Sequence, residues 1–141
     1  MMDNQDTPNY PLSENVAKEL KTTSGASLEE ITQTSFKAGK LTAEDFRIRD
    51  DTLRAQAAIA RKHGFRKLAD NLSRAAELTR VPNHQILSMY EALRPGRSTF
   101  EELFVLAENL EAQFQAPLTA AFVREAAQAY QERNLLRKHA E

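Results

Sequence analysis

Apolar residues recur at three- and four-residue intervals along most of this chain, and no stretch of alternating apolar and polar positions argues for a strand. The stretch RAAELTRVPNHQILSMYEALRPGRST, from Arg74 to Thr99, encodes two helices and the break between them. Pro82 cannot continue the helix that reaches Arg80, and Asn83 is suited to cap a new one starting at His84. In that second helix Ile86, Leu87, Met89, Tyr90 and Leu93 fill one face, until Pro95 and Gly96 end it. Ser98 and Thr99 follow, with Glu101 and Glu102 three residues on. That is the spacing of a capping box, in which a hydroxyl and a carboxylate satisfy each other's free backbone amides.

The same reading extends in both directions. Leu12 to Leu20 reads as a short helix before a turn at Ser24-Gly25, and SLEE from Ser27 places Glu30 to box a helix carrying Leu28, Ile31 and Phe36 that stops at Gly39. Thr42 and Asp45 bracket a one-turn helix. Asp50 or Asp51 caps a helix with Leu53, Ala57 and Ala60 on one side, ending at Gly64. The Phe65 to Arg80 helix gathers Phe65, Leu68, Ala69, Leu72, Ala75, Ala76 and Thr79, and a Thr99 to Gln113 helix gathers Phe100, Leu103, Leu106, Ala107 and Leu110 with Phe114 beyond. Pro117 separates these from a last helix whose apolar positions, from Leu118 through Phe122 and Tyr130 to Leu136, spread over about 200° of the wheel, against roughly 100° for a helix covered on one side. More than one neighbour must cover it. The expected architecture is all-α: a small bundle of short and medium helices with an extended N-terminal segment, packed on a larger partner. Residues 10–141 are expected to form a single domain behind a mobile polar tail of residues 1–9.

Composition sharpens the need for a partner. Leu, Ile, Val and Phe make up 31 of 141 residues, close to the roughly 20 % below which chains often stay disordered. Alanine supplies much of the remaining apolar content and buries little area per residue. The net charge of −1 favours neither a polyanionic ligand nor an anionic membrane, and no apolar run approaches the roughly 18 residues needed to span a bilayer. The absence of cysteine excludes a disulfide scaffold and thiolate chemistry; with no signal-peptide pattern, cytoplasm is the expected location.

Candidate chemistry changes this picture little. His63, His84 and His139 are far apart, and none has a second ligand at metal-binding helical spacing. The acidic pairs Glu29-Glu30, Asp50-Asp51 and Glu101-Glu102 fall at helix starts, where negative charge complements unpaired amides, and the four glycines stand singly rather than in a phosphate-binding loop. The basic residues Arg61, Lys62, Arg66, Lys67, Arg74 and Arg80 argue for a nucleic-acid adaptor or stand-alone regulator. Against that, Arg66, Asp70, Arg74 and Glu77 read as one polar face of alternating ion pairs. Arg94 and Arg97 flank the Pro95-Gly96 turn. They suit either bidentate anchoring to a carboxylate or carbonyl, or, for Arg94 alone, charge compensation at a helix end.

The blocks RAAEL, YEALRP, RST followed by EEL, and AFVREAA occur in order. With AEDFRIRDDTLRAQAAIA at Ala43 to Ala60 and FVREAAQAYQERNLLRK at Phe122 to Lys138, they resemble the small subunit of coenzyme-B12-dependent diol and glycerol dehydratases from about Tyr10 to Lys138. Gly96 departs from the pattern, since an aromatic residue is the more familiar occupant between Pro95 and Arg97. The resemblance implies a complex with two copies each of a large, a medium and a small subunit. Adenosylcobalamin would lie between the large and medium chains and the substrate in the large subunit's barrel. The expected conversion is of 1,2-propanediol to propionaldehyde or of glycerol to 3-hydroxypropionaldehyde, and no catalytic, cofactor or metal residue is expected on this chain. Tyr90, Arg94, Arg97, Phe122 and Tyr130 are the candidate partner contacts. Some related small subunits carry a longer amphipathic N-terminal extension associated with enclosure in a bacterial microcompartment; none is read before Tyr10.

Overall fold

Breaks at proline, glycine and capping pairs divide the chain into seven α-helices and two 3-10 turns among the described residues of the computed structural model, which are residues 7–138. The expected tail over residues 1–9 lies largely outside them, as does His139. No strand occurs among the described residues, where an isolated bridge pairs Lys21 with Ser27. The fold is all-α. It comprises two compact units that divide between Ala76 and Glu77.

In the first unit, α1 (Leu12–Asn15) is shorter than expected, and a 3-10 turn at Leu28–Glu30 precedes α2 (Gln33–Lys37). The single helix expected from Ser27 to Gly39 is therefore broken, because the Thr32 hydroxyl accepts the Ser35 amide and starts a new helix. Both expected boxes are present: Glu30 accepts the Ser27 amide at 2.7 Å, and Asp45 accepts the Thr42 amide at 2.8 Å at the 3-10 turn Ala43–Phe46. Helix α3 (Asp50–Lys62) is capped by neither aspartate. Arg49 holds the cap position, while Asp51 binds the Arg49 guanidinium at 2.6 Å and the Thr52 amide at 2.8 Å. At the other end His63 is the C-cap and Gly64, at φ +84°, turns the chain; the Phe65 amide reaches back to the Ala60 carbonyl at 2.8 Å.

Helix α4 (Arg66–Leu78) packs on α3 through a small cluster, Ala57, Ala60 and Ala69, with Leu72 at its margin. Small side chains permit close approach but remove little area from water. Phe65 and Leu68, expected on the buried face, are 62% and 51% exposed. Elsewhere in the first unit Leu12, Leu41, Leu53 and Ile59 are buried, though none of its large side chains is fully so.

The second unit contains α5 (Asn83–Ala92), α6 (Phe100–Phe114) and α7 (Pro117–Glu132). Pro82, not Asn83, occupies the N-cap of α5. Met89 is buried and Ile86 and Leu93 pack beside it, whereas Leu87 and Tyr90 point outward, so the five apolar positions of α5 do not share one buried face. Helices α6 and α7 form a hairpin joined through Gln115, which takes a left-handed conformation, and Ala116. Leu103, Ala107, Leu110, Ala120, Val123 and Ala127 fill the space between them, with Val81 and Met89 completing the core. Phe100 and Phe104 stack at 4.7 Å beside it. Helix α7 buries only the narrow stripe Thr119, Ala120, Val123 and Ala127 and leaves Leu118 and Phe122 about half exposed. Its wide apolar arc is thus only partly covered within the chain.

Candidate functional site

The turn from Leu93 to Thr99 is held by side-chain and backbone bonds from both sides. Glu91, near the end of α5, accepts a hydrogen bond from Arg94 at 3.0 Å on one carboxylate oxygen and forms an ion pair with Arg97 at 3.1 Å through the other. Both arginines expected to anchor this turn therefore share one carboxylate of their own chain. All three groups remain about half exposed, which leaves the pair weakly stabilising and open to further partners. Between them Gly96 holds φ +76°, and its amide donates to the Leu135 carbonyl at 2.7 Å.

The segment after α7 clasps the same turn. The Tyr130 hydroxyl donates to the Leu93 carbonyl at 2.5 Å, and the Arg137 amide donates to the Ser98 carbonyl at 2.8 Å. The Arg137 guanidinium spans the Arg97 carbonyl at 3.0 Å and the Glu102 carboxylate at 2.5 Å. Asn134, at φ +55°, reverses the chain so that Arg137 can reach back. Three of the five nominated residues, Arg94, Arg97 and Tyr130, are thus gathered at one turn. Tyr90 is 59% exposed on α5, and Phe122 lies one turn from Leu118 on the open side of α7. Arg137 belongs to this arrangement and was not among the nominated residues, because nothing in its spacing distinguishes it from an ordinary charged residue of a chain end.

Glu77, expected on a polar face of alternating ion pairs, is instead 3% exposed. Its carboxylate accepts the Leu118 and Thr119 amides at 3.0 and 2.8 Å and the Thr119 hydroxyl at 2.7 Å, capping α7 from a distant part of the chain. The rest of that face also rearranges. Asp70 pairs with Arg61 of α3 at 3.0 Å, and Arg74 bonds Asn71. The basic run is accordingly compensated in part by local partners.

Shifted carboxylates sit at helix starts in the first unit. Asp45 is held well below the usual carboxylate range by hydrogen bonds from Ser24 first, then from Thr42 and Thr22. Bonding to Arg49 lowers Asp51, and bonding to Ser27 lowers Glu30. Each favours the ionised form as a structural acceptor, which is the opposite of a general acid held protonated. A groove of about 910 Å³ in the first unit is bordered by Tyr10, Asn15, Gln56, Ile59, His63, Phe65 and Leu68, with no carboxylate among its lining residues. No group of three or more histidine or acidic residues with metal-binding geometry occurs among the described residues, and none of their helices is long and apolar enough to cross a membrane.

An all-helical chain whose ionised groups are spent on helix ends, and whose large apolar side chains are widely exposed, has the character of an interaction subunit. Residues 5–137 match the model of the dehydratase small subunit family, and the chain belongs to that family. It is 48% identical over 128 residues to the propanediol dehydratase small subunit of Salmonella typhimurium, covering 91% of this chain and 74% of the relative. The same identity and the same shares hold for the propanediol dehydratase small subunit of Citrobacter freundii.

Proposed function

We propose that this chain is the non-catalytic small subunit of an adenosylcobalamin-dependent dehydratase acting on 1,2-propanediol or glycerol, and that it supports the active assembly with large and medium subunits, two copies of each chain. The carrying observation is the 48% identity to two propanediol dehydratase small subunits over 91% of this chain. Adenosylcobalamin supplies radical chemistry when bound to the complex, between the large and medium chains.

The supporting role has a physical basis. Radical chemistry needs its reacting atoms held and shielded from water, so a chain that stiffens the large subunit contributes without touching substrate. Tyr90, Arg94, Arg97, Phe122 and Tyr130 are proposed contacts, with Arg94, Arg97 and Tyr130 acting through the turn they stabilise. The subunit would work in the cytoplasm, with or without enclosure of the complex in a microcompartment. Residues 10–141 are proposed to act as one small-subunit domain in the complex, alongside the two compact units into which the chain divides.

Co-expression of large and medium subunits with and without this chain tests the reading. Aldehyde formation from 1,2-propanediol and added adenosylcobalamin, together with the mass of the purified complex, should fall when the chain is omitted. Equal activity and an unchanged assembly in its absence would refute it.

A further inference from the structure

The segment that follows α7 is held to the turn between α5 and α6 by hydrogen bonds more than by buried apolar surface. Tyr130 is its pivot. The Tyr130 carbonyl accepts the Leu135 amide at 2.8 Å, closing α7 behind the left-handed Asn134, and the hydroxyl of the same residue donates to the Leu93 carbonyl. Two backbone bonds then join the segments, from the Gly96 amide to Leu135 and from the Arg137 amide to Ser98, and the Arg137 guanidinium adds the Arg97 carbonyl and the Glu102 carboxylate. The other oxygen of Glu102 accepts the Thr99 amide, so one carboxylate ties the segment to the cap of α6. Leu136 packs only at the margin of the core and Arg137 is exposed, whereas the α6 to α7 hairpin encloses Leu103, Ala107, Val123 and Ala127 completely.

Hydrogen bonds at a half-exposed site trade protein partners for water at small net cost, while opening the hairpin would expose its whole apolar face. We infer that residues 134–138 are a latch that opens as a unit of its own, with the α6 to α7 hairpin intact, and that its closure fixes the conformation of the Leu93 to Thr99 turn. Arg137 is the positioning residue. The turn's own bonds run from the Ser98 hydroxyl to the Ala92 carbonyl and from the Arg97 amide to the Arg94 carbonyl, which leaves the Gly96 amide to the latch at 2.7 Å. Gly96 sits at φ +76° with open space where a Cβ would stand, so packing against a neighbour does not impose that conformation. Arg94 and Arg97 flank it and meet at the half-exposed Glu91 carboxylate, so the state of the latch governs how the two guanidiniums are presented. The device belongs to the chain alone and does not depend on the small-subunit reading.

Hydrogen exchange of the full chain, followed amide by amide by NMR at increasing low urea, is the test. The Gly96 and Arg137 amides should exchange faster than those of Leu103, Ala107, Val123 and Ala127 and respond little to urea, because a small opening exposes little surface. Arg137→Ala leaves the Gly96 to Leu135 bond untouched, yet should speed exchange at Gly96 roughly three- to tenfold and shift the resonances of residues 94–98. Arg137→Lys keeps the charge without the planar fork that spans a carbonyl and a carboxylate, and should restore little of that protection. Exchange at Gly96 that climbs with urea in step with the hairpin amides would show that no separate opening exists. Unchanged exchange and unchanged resonances at Gly96 in Arg137→Ala, or full recovery in Arg137→Lys, would overturn the positioning role.

Discussion

The Glu77 carboxylate accepts three hydrogen bonds at the start of α7, from the amides of Leu118 and Thr119 and from the Thr119 hydroxyl. A helix start presents free N–H groups and partial positive charge, so a buried carboxylate placed there is compensated twice. Glu77→Gln replaces one accepting oxygen with an NH2 that faces a donor, and should cost about 1 to 3 kcal/mol, read as a lower urea midpoint at unchanged slope. Thr119→Val removes one of the three donors and should cost less. Asp45 makes a pH argument at the same scale. Hydrogen bonds from Ser24 and Thr42 depress its folded pKa, so its contribution is complete above the unfolded value of about 4 and is lost as pH falls from there toward the folded value. Glu30 and Asp51 act in the same direction. Thermal midpoints should stay level from neutral pH down to about 5 and decline below that, and Asp45→Asn should show a shallower decline than the parent chain. An identical acid limb in the two proteins would count against the Asp45 account.

At the scale of elements, helix ends decide where the apolar stripes begin and stop. The Thr99 hydroxyl accepts the Glu102 amide at 3.2 Å while the Glu102 carboxylate accepts the Thr99 amide at 2.9 Å, a reciprocal cap that starts α6 in register for Leu103, Ala107 and Leu110. Thr99→Ala should lower stability by about 1 kcal/mol, measured by denaturant titration. Gly96 controls the preceding turn. A Cβ built there meets nothing within 4 Å, so space does not forbid a side chain, but φ +76° does penalise one. Gly96→Ala should cost about 1 to 2 kcal/mol through the backbone alone, with the same denaturant readout. A neutral result would mean that the turn relaxes to a different conformation.

At the scale of the molecule, the two units differ in what holds them. The second has the fully buried Leu103 and Val123 between α6 and α7, with Met89 of α5 beside them; the first buries Leu12, Leu41, Leu53, Ile59 and four alanines, none of its large side chains fully. Apolar burial is roughly proportional to area, so the difference should appear as uneven local stability. In the free chain, amides of α6 and α7 should exchange with solvent more slowly than those of residues 28–46, checked by hydrogen-exchange mass spectrometry. Equal protection throughout would contradict the distinction. Binding to a partner should then protect the first unit most, because a region with little burial of its own gains most from being covered.

Periodicity and punctuation were enough to read an all-α chain, the breaks at Gly39, Gly64, Pro82, Pro95 and Pro117, and the three boxes at Ser27, Thr42 and Thr99, because capping is set by residues within four positions of one another. Ordered blocks of sequence were likewise enough to read a dehydratase small subunit. Local spacing could not distinguish the exposed Leu87 and Tyr90 from the buried Met89, nor the solvated Asp70 from the buried Glu77, since burial depends on which distant element packs alongside. The clasp of Arg137 and Tyr130 on the Leu93 to Thr99 turn joins residues some 40 positions apart, and the outward Phe36–Phe46 pair forms across a chain reversal. Those arrangements arise only when the chain closes on itself, because a hydrogen bond or ring contact needs two groups within a few ångströms, and sequence distance does not report spatial distance.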